Sequence, residues 1–106
     1  MVISLTKDNF DAEVLQSKLP VVVDAYAVWC GPCKQMTPIF DELEKELAGV
    51  YKLCKVNVDE ERDLAIKLSI QSIPTFVFFK EGKMVGKESG YMSKPAFKAK
   101  IESILG

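Results

Sequence analysis

Cys30 and Cys33 stand two residues apart, with Gly31 and Pro32 between them. Thiols at this spacing can close a small disulfide ring, so the pair can give up and take back two electrons. Exchange of that kind needs a thiolate, and the residues that follow suggest how one is stabilised. Met36, Ile39, Phe40, Leu43 and Leu47 recur at offsets of three, four, seven and eleven. That spacing makes one apolar stripe on a helix running from about Cys33 to Ala48. The amides of a helix's first turn lack partners and carry positive partial charge, which favours a thiolate beside them. Cys30, just ahead of the helix, is expected to be the more exposed and acidic thiol, the nucleophile. Cys33, one turn inside, is expected to be more shielded and suited to resolving a mixed disulfide. Gly31 is expected to let the backbone turn tightly, and Pro32 to fix one dihedral.

Two other readings of the pair stand beside this one. It is half of a zinc ligand set, but the chain has no His and no second pair to complete it, so zinc would have to be shared between two chains. Alternatively the thiols are inert and buried, which a strand-to-helix junction does not favour. The third cysteine, Cys54, makes the count odd and argues against a disulfide scaffold. It lies in a run rich in Leu and Val and reads as a small buried hydrophobe.

The elements that must position the pair follow from periodicity. Val2–Leu5 reads as a first strand, and Lys7–Ser17 as a helix with a narrow apolar face carried by Phe10, Val14 and Leu15. Pro20–Ala27 is nearly unbroken in hydrophobicity, as a strand buried on both faces is, which calls for helices on both sides of a sheet. Pro38 should kink the following helix and Gly49 should stop it. Tyr51–Val58 reads as a strand, and Asp59 as the cap of a short helix ending near Leu68. Thr75–Phe79 and Met84–Lys87 form a hairpin about Glu81-Gly82. Ser93 caps a last helix that buries Phe97, Ile101, Ile104 and Leu105, with Pro95 tolerated in its first turn. The order is β-α-β-α-β-α-β-β-α, an α/β chain whose early strands are parallel and whose hairpin adds antiparallel strands.

One residue is out of keeping with its strand. Asp24 sits among Val21, Val22, Val23 and Ala25, where a carboxylate is costly and its pKa should rise.

The 106 residues suit one domain, 1–106, large enough to bury a core without staples. A formal charge of −1 gives no electrostatic reason to bind nucleic acid or an anionic membrane. No secretory signal is read at the N-terminus and no apolar run is long enough to span a membrane, so a cytoplasmic location is expected.

Trp29-Cys30-Gly31-Pro32-Cys33-Lys34 resembles the active-site motif of the thioredoxin family without a gap. The resemblance continues at Asp24, Pro38, Lys55, Asn57, Asp59, Ile73-Pro74-Thr75, Gly82 and Gly90, and so spans nearly the whole chain. It implies the thioredoxin fold, a five-stranded mixed sheet flanked by two helices on each face, with a cis peptide before Pro74. It implies that Asp24 is the acid–base group for Cys33 and that Lys55 is its neighbour. Trp29, Ile73, Pro74 and Gly90 would form a rim for a target peptide, with the backbone at Ile73 and Thr75 pairing to it as an added strand. The implied activity is reduction of disulfides in target proteins by a monomer that binds no cofactor. Recycling would come from a thioredoxin reductase drawing on NADPH. A disulfide isomerase or oxidase domain commonly carries Gly-His between the cysteines, where this chain has Gly31-Pro32. A non-redox subunit of a larger complex is the alternative from another class.

The chain departs from the family at Ala25-Tyr26, where an aromatic pair is common. It departs also at Gln71-Ser72, where a charged residue and Gly are common, and at Met92. These positions touch packing and the target rim.

Overall fold

The computed structural model describes residues 1–106. Its sheet has five strands: β1 (Ile3–Ser4), β2 (Val21–Tyr26), β3 (Lys52–Asn57), β4 (Thr75–Lys80) and β5 (Lys83–Ser89). Their spatial order is β1-β3-β2-β4-β5. The first three are parallel, β4 is antiparallel to β2, and β5 is antiparallel to β4. Three α-helices join them, α1 (Gly31–Leu47), α2 (Arg62–Lys67) and α3 (Lys94–Leu105), together with a π-helical turn at Asp11–Leu15.

β2 is central, and Val21 through Ala25 are all buried, as a strand covered on both faces requires. Alternate side chains feed two separate cores. Val21, Val23 and Ala25 join Phe10 and Val14 of the π-helical segment and Leu64 and Leu68 at α2. Val22 joins Met36, Phe40, Leu43 and Leu47 of α1, and Phe97, Ile101 and Leu105 of α3. Two helical segments therefore lie on each face. The α1/α3 core is aromatic: Phe76 meets Phe97 at 4.6 Å between ring centroids, and Phe40 lies about 6 Å from both.

Local chemistry sets the boundaries. The first helical segment is one π-helical turn, shorter than the helix that the apolar spacing over Lys7–Ser17 suggests. The Thr6 hydroxyl accepts from Asp8 N and Asn9 N, and Asn9 Oδ1 accepts from Thr6 N at 2.8 Å, which holds those residues in a turn. Gln16 N then donates to Asp11 O at 2.9 Å, the wide bond of a π turn. Helix α1 begins at Gly31, earlier than its apolar stripe suggested, and Pro38 does not divide it. It ends before Gly49, whose φ of +84° continues no right-handed helix. The β4–β5 hairpin turns at Glu81 (φ 53°) and Gly82 (φ 78°), two left-handed residues in a two-residue loop. A Cβ at Gly82 would stand 2.7 Å from the Leu15 carbonyl oxygen, so this glycine also lets the hairpin press on the π-helical segment. Ser93 caps α3 as expected, its Oγ accepting from Ala96 N at 3.3 Å.

Candidate active site

β2 delivers the chain to the C-terminal edge of its parallel neighbours, and a short turn, Cys30 N to Ala27 O at 3.2 Å, passes it to α1. Cys30 is the N-cap of α1, with an extended backbone (φ −87°, ψ 115°). Its Sγ accepts from Cys33 N at 3.2 Å, so the sulfur takes the place that a capping oxygen usually fills. The two cysteines are joined as a disulfide with their Cα atoms 5.2 Å apart. Cys30 is the more exposed of the two thiols, as expected, but only slightly: it is 5% exposed and Cys33 2%, both packed with Ala27 and flanked by Tyr26, Val58 and Ile73. The expectation for Gly31 is corrected. Its φ is not left-handed and a Cβ there would meet nothing within 4 Å, so the backbone turn does not require glycine. Pro32 occupies the first turn, where its missing N–H costs no hydrogen bond.

Around this ring the surface is apolar. Trp29 is 67% exposed, and beside it a cavity of about 200 Å³ is lined by Val58, Ala65, Ile70 and Ile73, with Gln71 and Ser72. The Trp29 indole N–H donates to Asp59 Oδ2 at 2.8 Å. Asp59 therefore does not cap α2, as the sequence suggested. Asn57 Oδ1 accepts from the amides of Asp59 and Glu60 instead, and α2 starts only at Arg62. The Trp29–Asp59 contact spans thirty residues, and no local pattern announces it.

The Ile73–Pro74 peptide is cis, and Gly90 N donates to Pro74 O at 2.9 Å from a backbone with φ +94°. Ile73 is half-buried and lies outside the strands. Thr75 differs from the expectation for it. It is buried between β2 and β5, paired with Ala25 on one side and Ser89 on the other, so no open sheet edge exists there for an added strand. Its hydroxyl donates to Ser72 O at 2.7 Å and lies 2.9 Å from Ser89 Oγ, which braces the loop carrying Pro74.

Asp24 is 5% exposed, and its Oδ1 has no hydrogen-bond partner. Burial pushes its carboxyl from the ordinary range up to about 7; Lys55 draws it down and Asp41 pushes it further up. Lys55 faces Asp24 in the β2–β3 register, and its Nζ lies 5.9 Å from the centre of the Tyr26 ring. Asp24, Tyr26, Thr37, Phe40, Asp41 and Lys55 enclose a cavity of about 50 Å³. Thr37 connects this cavity to the cysteine pair, since its Oγ1 donates to Cys33 O at 3.1 Å. The sequence reading missed Asp41. Its signal was helical spacing: Cys33, Thr37 and Asp41 lie four apart, on one side of α1.

Cys54 is the free thiol, fully buried in β3, where desolvation pushes its pKa up to about 12. No group of three or more His, Cys, Asp or Glu side chains is arranged to hold a metal ion. No helix is long and apolar enough to cross a membrane.

A family model for thioredoxin matches residues 1–103. The chain belongs to the thioredoxin family. A thioredoxin of Rickettsia felis is 46% identical over 91 residues, covering 86% of this chain and 87% of its own length. A thioredoxin of Pseudomonas aeruginosa is 36% identical over 102 residues, 96% and 94% of the two chains. Thioredoxin C-2 of Corynebacterium nephridii is 39% identical over 101 residues, 95% and 94%. With a cysteine pair at disulfide distance on this thioredoxin fold, the chain is a dithiol–disulfide oxidoreductase. The thioredoxin site thus combines three parts: a sulfur-capped helix, an apolar rim at Trp29 and Ile73, and a buried carboxylate behind them.

Proposed function

We propose that this protein reduces disulfides in target proteins, with Cys30 as nucleophile, Cys33 as resolving thiol and Asp24 as the acid–base group for Cys33. The single observation that carries the reading is the Cys33 amide pointing at Cys30 Sγ from the first turn of α1. An amide at a helix start favours negative charge on that sulfur and not on a sulfur elsewhere.

In the reaction, the Cys30 thiolate attacks one sulfur of the target disulfide. A Cys30–target bond forms, and the other target sulfur leaves as a thiolate that takes a proton from solvent. Cys33 gives its proton to Asp24, and the Cys33 thiolate attacks Cys30 Sγ. The Cys30–Cys33 bond forms, the Cys30–target bond breaks, and the second target sulfur leaves. The target gains two electrons and the Cys30–Cys33 pair loses two. Lys55 limits the cost of charging Asp24. Trp29, Ile73, Pro74 and Gly90 receive the target segment, Ile73 offers it main-chain pairing, and Thr75 braces their loop from within the sheet. Asp59 holds the Trp29 ring in place. Gly31 and Pro32 complete the ring beside Cys30, and Pro32 stiffens it by fixing one backbone dihedral.

A separate thioredoxin reductase, supplied by NADPH, returns the pair to the dithiol; this chain binds no cofactor itself. The protein works as a cytoplasmic monomer of one domain, 1–106, on protein substrates. Reduction of insulin disulfides in the presence of dithiothreitol tests the activity, and a redox titration tests its direction. Cys30→Ser should abolish turnover. Cys33→Ser should accumulate a mixed disulfide through Cys30. Absence of insulin reduction by the wild-type protein, or a pair that strongly oxidises dithiols, overturns the reading.

A further inference from the structure

Two cavities meet at Asp41 and Lys55. The inner one, about 50 Å³, contains the buried Asp24 carboxylate, whose Oδ1 has no partner. It has room for a water molecule, and polar groups of Asp24, Thr37, Tyr26, Asp41 and Lys55 around it suit one. The outer one, about 420 Å³, is a cleft between the first residues of the chain and α1, lined by Val2, Glu44 and Lys45. Asp41 and Lys55 line both, one from α1 and the other from β3. On the remaining sides Asp24 faces no charge. Its register partner on β4 is Phe76, and Tyr26 is the only other titratable side chain of β2 at the cavity. Thr37 carries the arrangement back to Cys33 through its hydroxyl. A proton taken up by Asp24 must leave again before the next cycle, and the neighbouring core residues Val22, Phe40 and Phe76 are buried hydrocarbon that offers it no path.

We propose that Asp41 is a positioning residue of the disulfide exchange: with Lys55 it forms the charged gate through which Asp24 exchanges its proton with solvent. The proposal rests on the role given to Asp24 above. In the resolving step the Cys33 S–H proton passes to Asp24 as the Cys33–Cys30 bond forms. Afterwards that proton passes from Asp24 to water in the inner cavity and leaves by the gate. Asp41 accepts hydrogen bonds from such water, and Lys55 keeps the two carboxylates from repelling each other without compensation. A neighbouring negative charge also strengthens proton binding at Asp24, in keeping with the direction in which Asp41 pushes that carboxyl.

The test is Asp41→Asn, with Asp41→Glu as the conservative variant and Glu42→Gln as a control of equal charge change that lines neither cavity. Each is measured for single-turnover reduction of insulin from about pH 5 to about pH 9, a window on both sides of the Asp24 midpoint. The Asp24 carboxyl is followed in parallel by carbon NMR. Asp41→Asn should lower the Asp24 midpoint by about half a unit, the scale of one like charge acting across a small polar cavity. The acid limb of the rate should move with it, and the plateau should fall several-fold. Asp41→Glu should restore both, and Glu42→Gln should change neither. In an Asp24→Asn background, Asp41→Asn should add nothing. Equal effects in the two backgrounds, equal effects of Glu42→Gln, or no effect of Asp41→Asn overturns the gate while leaving Asp24 in its role. A profile that Asp24→Asn itself leaves unchanged overturns both.

Discussion

Cys30 and Cys54 are the same residue type, both covered by protein, at 5% and 0% exposure, yet their sulfurs meet opposite surroundings. Cys54 lies in β3 between Ile3 of β1 and Val23 of β2, and its core neighbours include Val56, Val77 and Leu68. Burial outweighs the pull of Lys52 there and pushes its thiol up to about 12. Cys30 caps α1 and accepts the Cys33 amide. Burial alone therefore does not decide whether a thiol is reactive. The deciding feature is whether the buried sulfur faces hydrocarbon or donors that lack another partner. Asp24 combines both conditions, being buried like Cys54 but beside a polar cavity and a lysine.

The sharpest way to break this comparison is thiol labelling of the reduced protein near pH 8. Cys30 should react first. Cys54, with its thiol pushed up to about 12, should react about a thousandfold more slowly in the folded chain than in the unfolded one, in proportion to its thiolate fraction. Mass-resolved alkylation measures both, and Cys54 labelling at the rate of Cys30 would remove the contrast.

Asp24→Asn gives a smaller but still large effect. The folded carboxyl titrates near 7 and the unfolded one near 3.9, so between those values the folded state holds a proton that the unfolded state has lost. Stability falls as pH rises through that window, and the loss is complete above the folded value. Asp24→Asn should therefore raise stability at pH 8 by about 4 kcal/mol and change it little near pH 3. Denaturant unfolding at several pH values measures the difference. The same variant should slow resolution of the mixed disulfide. A variant less stable at pH 8 and fully active would make Asp24 a structural residue.

The smallest expected effect sharpens the rim side of the comparison. Asp59→Ala removes the acceptor from the exposed Trp29 indole, which should cost no more than about 1 kcal/mol of stability. It should raise KM for insulin a few-fold with kcat unchanged, because the ring is freed without touching either thiol. Steady-state reduction rates separate the two constants, and a fall in kcat alone would place Asp59 in the chemistry.

Much of this site could be read along the chain, because its signals are local. The spacing of Cys30 and Cys33, the stripe from Met36 to Leu47 and the dense apolar run about Asp24 depend on residues within two or three turns of one another. They were enough for a sulfur pair at a helix start and a carboxylate in a buried strand. The apolar stripe marks the start of α1 too late because Gly31 and Pro32 carry no apolar side chain to mark the first turn. The apolar spacing over Lys7–Ser17 suggests a longer helix than forms, because a side-chain hydrogen-bond turn at Thr6–Asn9 competes with helix formation and composition does not reveal which wins.

By itself, the sequence determined the order of elements, the two-faced burial of β2, the redox chemistry of Cys30 and Cys33, and the inert setting of Cys54. Each of these is carried by residue type and short-range periodicity. Only the tertiary structure decided that Asp59 holds Trp29, that Thr75 lies inside the sheet, and that Asp41 and Lys55 share one opening over Asp24. Those contacts join residues 14 to 50 positions apart along the chain, as the Thr75–Ser89 and Thr75–Ala25 pairings show. Strand register and helix packing set them, and both are fixed by the burial of the whole core at once.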